Sequence, residues 1–210
     1  MHEVANALGP QKSLALTFFH AVTGCDTVSA FTGKGKKSAW DAWNCCTESL
    51  DAFQSLASKP PTIGLDLLAV CERFVVLLYD RTSSECAVNV ARKTLFCRGN
   101  RPISHVPPTQ DALLQHVKRA AFQAGFVWAQ SIVAWQSLPS PSDWGWQCVD
   151  NVWHPVWMTL PPAADCCPEL VSCGCKAGCT TKRCKCVRAN LSCTALCNCQ
   201  GECNREDDTQ

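Results

Sequence analysis

The chain has 210 residues, 18 of them cysteine, and its 19 Lys/Arg nearly balance 18 Asp/Glu. That length suits one ordinary domain and a small one, and the composition excludes a disordered or uniformly basic chain. The charge is uneven: residues 1–172 carry a net −1 and residues 173–210 a net +2.

The fold class expected is mostly α, with a helical N-terminal region over residues 1–136. Pro10 opens an apolar helix that runs to Val22. Short helices follow over Lys37–Cys46 and Glu48–Ala57, and Leu65–Tyr79 is apolar on most sides, as a buried helix is. Thr82 and Glu85 read as a capping box opening a helix with Val88, Ala91 and Leu95 on one face and Gly99 beyond its end. Pro107-Pro108-Thr109 starts the longest helix. Its stripe of Leu113, Val117, Ala120, Ala124 and Trp128 faces the core, and His116 and Arg119 point elsewhere. Residues 137–165, rich in proline and tryptophan, read as an extended connection that packs its tryptophans on the helices. A platform for nucleic-acid bases is the other reading, and core packing is the commoner one. His154 reads as structural.

The longest uncharged run, Ala120–Ser142, contains three glutamines and several serines, which are costly in lipid. The apolar patch Leu14–Val22 lacks the basic start of a signal peptide. The expectation is therefore a nuclear or cytoplasmic chain, not secreted and without a membrane partner. In such a setting clustered thiols mean metal more often than disulfides.

Residues 166–205 are read as a small irregular domain, followed by an acidic tail over 206–210. The domain spells C-x-C-x3-C-x4-C-x-C-x6-C-x3-C-x-C-x3-C over Cys173, Cys175, Cys179, Cys184, Cys186, Cys193, Cys197, Cys199 and Cys203. Zinc takes four ligands and favours thiolates in structural sites. Three separate tetrahedral sites need twelve sulfurs, and nine suffice if three of them bridge. Three Zn²⁺ per chain are therefore expected. A disulfide knot is the competing reading, opposed by the odd count and by C-x-C pairs that close poorly. Cys166 and Cys167 stay unassigned. Lys182, Arg183, Lys185 and Arg188 bunch inside the array, as a phosphate-facing patch or as a solvated face.

This array resembles the CXC domain of tesmin-type DNA-binding proteins. The resemblance implies a nine-cysteine, three-zinc cluster and contact with double-stranded DNA through Lys182, Arg183, Lys185 and Arg188, with chromatin proteins as further partners. Tesmin-type proteins carry two copies, and here there is one. Arg183 stands where their repeats place a groove-inserting tyrosine.

A second stretch, "HAVTGCDTVSAFTGKGKKSAW" from His20 to Trp40, places a Gly-x-Gly turn and a lysine run before a helix. Backbone N–H groups exposed there make a natural phosphate seat. The stretch resembles the flap-endonuclease branch of PIN-like nucleases, in which a G-x-D precedes a glycine hairpin that grips DNA. The resemblance implies that Asp26 is a divalent-metal ligand and that Gly33, Gly35, Lys36 and Lys37 hold phosphate. A plain helix–turn–helix, with Asp26 as a cap, is the alternative. The family's other carboxylates come from strands before this motif. This chain alone is thus expected not to cleave DNA, and Mg²⁺ would belong to a longer nuclease form. The leading expectation is a zinc-binding protein of DNA or chromatin, perhaps mobile-element in origin by its texture; a nuclease fragment and a zinc-stabilised interaction module are the other two.

Overall fold

The structure, a computed structural model, describes residues 2–97, 105–135, 137–160, 172–176, 178–189, 191–193, 197–201 and 203. Gly99, Cys166, Cys167 and the tail over 206–210 lie outside them. The chain forms two compact units, residues 1–160 and 161–210.

The first unit is a helical bundle. α1 (His2–Leu8) and α2 (Pro10–Val22) are separated by Gly9 at φ 79°, and Pro10 at the first position of α2 gives up only an N–H that would go unpaired anyway. Then come α3 (Lys36–Cys45), α4 (Ser49–Ala57), α5 (Leu65–Tyr79), α6 (Val88–Cys97) and α7 (Gln110–Ala121). Helix α2 lies along α4 and also meets α7, while α5 touches α3, α4, α6 and α7. This explains the texture of α5: every residue from Phe74 to Tyr79 is buried, because the helix has neighbours on all sides. Aromatic rings fill the centre, with Phe53 edge-on to both Phe18 and Phe74 and Phe19 stacked on Trp43. No helix among the described residues is long and apolar enough to cross a membrane.

Thr109 caps α7 as read, its hydroxyl accepting from the N–H of Ala112. The helix does not stop at Ala121. It widens into a π turn over Phe122–Val127 and tightens into a 3-10 turn over Trp128–Gln130. Gly125 sits in the wide turn, where a Cβ would come within 2.9 Å of the Lys59 backbone N.

Three local expectations are corrected. Thr82 and Glu85 form no capping box: Thr82 donates to Asp80, and Glu85 N–H to Ser83. Helix α6 starts later, and its Val88 N–H is capped by the Glu72 carboxylate of α5 at 2.8 Å. His116 and Arg119 do not point away from the core; they are 6% and 2% exposed. His116 Nε2–H donates to the Val22 carbonyl at 2.8 Å, and its Nδ1 faces the Ser29 hydroxyl. Arg119 donates to the carbonyls of Gly145 and Val156. The 137–165 connection is more ordered than a strap. A 3-10 turn (Pro141–Trp144) leads into an antiparallel hairpin of β1 (Trp146–Val149) and β2 (Val152–Pro155). Its two-residue turn, Asp150-Asn151, has positive φ at both positions, the twist-matched choice for a hairpin. Trp144 packs against Phe122 and Phe126, whereas Trp153 and Trp157 remain exposed. The packing reading therefore holds for Trp144 and not for the other two.

Burial gives His116 a testable consequence. Loss of solvent, with Arg119 nearby, lowers its pKa from 6.5 to about 4, opposed by the bond to Val22. The neutral ring is what the fold accepts, so its contribution is complete above the unfolded pKa and fades as pH falls toward 4. Linkage gives a loss of roughly 2 kcal/mol between about pH 7.5 and about pH 5. Urea unfolding across that range should show this loss, and His116→Gln should flatten it. An equally steep profile in His116→Gln would refute the assignment.

Candidate metal centre

The second unit has almost no hydrocarbon core. Its buried side chains are Cys173, Cys179, Cys184, Cys186, Cys197 and Cys199, with Cys175, Val187, Cys193 and Cys203 packed beside them. Short turns bring the thiols inward. Cys184 opens α8 (Lys185–Arg188), a single turn that places Cys186 inside. Leu191 N–H returns to the Cys186 carbonyl, and Asn198 N–H crosses to Cys173 and ties the two ends of the array together. Gly178, Gln200 and Gly201 take positive φ at the bends.

The sulfurs gather into three quartets. Cys173, Cys186, Cys193 and Cys197 form one; Cys173, Cys179, Cys184 and Cys193 a second; Cys179, Cys193, Cys199 and Cys203 a third. Within each, all Sγ atoms lie within 4.8 Å of one another. The closest pairs are Cys186–Cys197 at 3.6 Å and Cys173–Cys179 at 3.7 Å, with Cys173–Cys193 and Cys199–Cys203 at 3.9 Å. Sulfurs on a tetrahedral zinc, with Zn–S about 2.3 Å, stand about 3.8 Å apart, while a disulfide needs about 2.05 Å. The described cysteines are all free thiols. The disulfide reading does not fit this geometry; a shared metal such as zinc does.

The surroundings act on the thiols in opposite directions. The backbone N–H of Val187 leads in lowering the Cys184 pKa to about 6, and that of Gly201 leads in lowering Cys199. Burial pushes Cys179 and Cys193 up. A cation that takes thiolates would offset the second effect, so metal binding would release protons.

Cys175 is half-buried and joins no quartet, and Cys193 joins all three. Spacing alone gives the number of sulfurs but not which of them are shared. The side chains of Lys182, Arg183, Lys185 and Arg188 are all exposed, on the turn before Cys184 and on α8.

The N-terminal stretch is arranged differently. Gly24, at φ 105°, is required, because a Cβ there would meet Ala30 Cβ at 2.6 Å. Gly33 turns at φ 69°, and Gly35 precedes α3 in extended conformation. The expectation that Lys36 holds phosphate is corrected. Its ammonium donates to the carbonyls of His20 and Gly24 and to the Thr23 hydroxyl, all within 2.7 Å. All three of its donors thus close the C-terminal end of α2. Lys37 is exposed. Asp26 is exposed at the bend, caps no helix, and belongs to no group of three or more metal-ligating side chains among the described residues. Compared with known proteins, the chain matches no protein-family model, no curated protein and no solved structure.

Proposed function

We propose that residues 173–203 form a three-zinc, nine-cysteine cluster of CXC type, and that this module binds duplex DNA or chromatin in the nucleus. The observation that carries the reading is the set of three overlapping sulfur quartets. A closed three-metal ring needs one shared sulfur for each pair of metals. Cys173 is common to the first and second quartets and Cys179 to the second and third. Cys193 supplies the third bridge by joining the first and third. Its place in the second then falls to Cys175, the array thiol left over. Three bridging and six terminal cysteines result. Zinc supplies the folding energy here, and the cysteines hold a rigid loop that presents four cations to solvent. No observation on Asp26 favours the nuclease reading over this one.

The DNA half is tested by a gel-shift series on the zinc-loaded full chain. Four cations on phosphate or groove give a log–log salt slope of about −3 to −4, hence a loss of ~10²-fold between about 50 and about 200 mM salt. Arg183→Ala should lose sequence discrimination by about 1–3 kcal/mol, whereas Lys185→Ala weakens all duplexes alike. Absence of binding at about 50 mM salt would leave the cluster as a structural or protein-interaction module.

A further inference from the structure

A cavity of about 260 Å³ opens in the helical unit, away from any cysteine. Phe31, Tyr79, Arg92, His116, Arg119 and Trp157 form most of its wall, with the hydroxyls of Ser29 and Thr32 at one side and no acidic residue. Its polar groups are nearly all donors. Arg119 on α7 is 2% exposed and pairs with no carboxylate among the described residues, where the Arg81–Asp41 pair is the only ion pair. One guanidinium nitrogen, Nη1, holds the Gly145 and Val156 carbonyls; Nε and Nη2 have no partner among the described residues. Arg92 on α6 brings a second guanidinium, held through Nη1 by the Pro107 carbonyl. The Tyr79 phenol is only 9% exposed and also lacks a partner among the described residues. His116 contributes no charge, since its ring is neutral near pH 7.

Buried cations and hydroxyls in such a state are costly unless an anion completes them. Two guanidiniums from different helices, with hydroxyls between them, offer more donors than the two oxygens of a carboxylate can accept; a phosphoryl group has three terminal oxygens. The rest of the wall is aromatic. Phe31 stands 6.4 Å from Tyr79 and 4.9 Å from His116, and Arg119 lies 5.4 Å from the Trp157 ring. At about 30 Å³ per water, the cavity holds roughly nine waters, more than a bare phosphate fills. We infer that this cavity binds a small phosphate monoester carried on a planar ring, the phosphoryl group between Arg92, Arg119 and Tyr79 and the ring against Phe31 and Trp157.

Calorimetric titration of the full chain with phenyl phosphate tests this, beside inorganic phosphate and benzoate as separate titrants. Phenyl phosphate should bind at least about tenfold more tightly than either, the worth of one charge-assisted hydrogen bond set or one buried ring. Arg92→Gln should weaken it by about tenfold or more, and Tyr79→Phe, which keeps the ring packing, by several-fold. Arg119 also ties the hairpin and is left intact. Absence of heat with phenyl phosphate overturns the inference, as does unchanged affinity in Tyr79→Phe and Arg92→Gln. Benzoate binding as tightly as phenyl phosphate overturns the phosphate assignment.

Discussion

Stripping zinc from the protein with a chelator should unfold residues 173–203 and leave the helical unit standing. The reason is the make-up of the second unit. Its interior is sulfur, and Val187 is the one hydrocarbon side chain packed with the thiols among the described residues. Apolar burial cannot meet the entropy cost of ordering such a segment, whereas structural zinc supplies about 10–16 kcal/mol of apparent binding energy. Elemental analysis of protein purified under reducing conditions should give three zinc ions per chain. On chelation the amide signals of Leu191, Asn198 and Gln200, all held by turns of the cluster, should collapse, while those of α5 stay dispersed. Cys193→Ser should cost more metal than Cys184→Ser, since Cys193 belongs to three quartets and Cys184 to one. A single zinc per chain, or none, would rule out the cluster.

Phe53→Ala should be the most damaging single truncation in the first unit. The ring is 0% exposed, 5.0 Å from Phe18, 5.2 Å from Phe74 and 5.7 Å from Trp43. It thus joins α4 to α2, α5 and α3 at one point. Removing it loses the transfer energy of the ring and leaves a cavity that three rigid neighbours cannot close, a cost of about 3–5 kcal/mol. Phe96→Ala, at a ring 60% exposed, should change stability by less than about 0.5 kcal/mol. Urea unfolding of the two variants measures both, and a cost at Phe53 below that at Phe96 would contradict the packing described.

What was legible in the sequence was local. Pro10 marks the start of α2, Thr109 caps α7, and the dense apolar run of α5 announces a helix enclosed on all sides. What was hidden depends on partners far along the chain. His116 and Arg119 look polar by type, and only the segments around Val22, Ser29, Gly145 and Val156 make them interior. Lys36 sits in a lysine run that suggests phosphate, yet its ammonium reaches back to α2. Val88 takes its cap from Glu72, sixteen residues earlier. The hairpin did leave a signal, Asp150-Asn151 between Val149 and Val152, which the surrounding prolines and tryptophans obscured. In the metal centre, the cysteine spacing set how many sulfurs there are; which of them approach one another is decided by α8 and by the crossing of Asn198 to Cys173.

The wide turn at Phe122–Val127 also determines where this chain can change length over generations. A π turn holds one residue more than the regular helix around it, so it is the footprint of an insertion absorbed without breaking the rod. Losing one residue there would restore an α turn and rotate all that follows by about 100°. Trp128 would leave its place 5.5 Å from the His20 ring, and a residue with a Cβ would replace Gly125 against Lys59. The exposed stretch from Ser131 to Trp135, where Ile132 is 95% and Trp135 90% exposed, has no comparable register to keep. Related chains should therefore share the number of residues between Thr109 and Trp128 and differ in the number that follow.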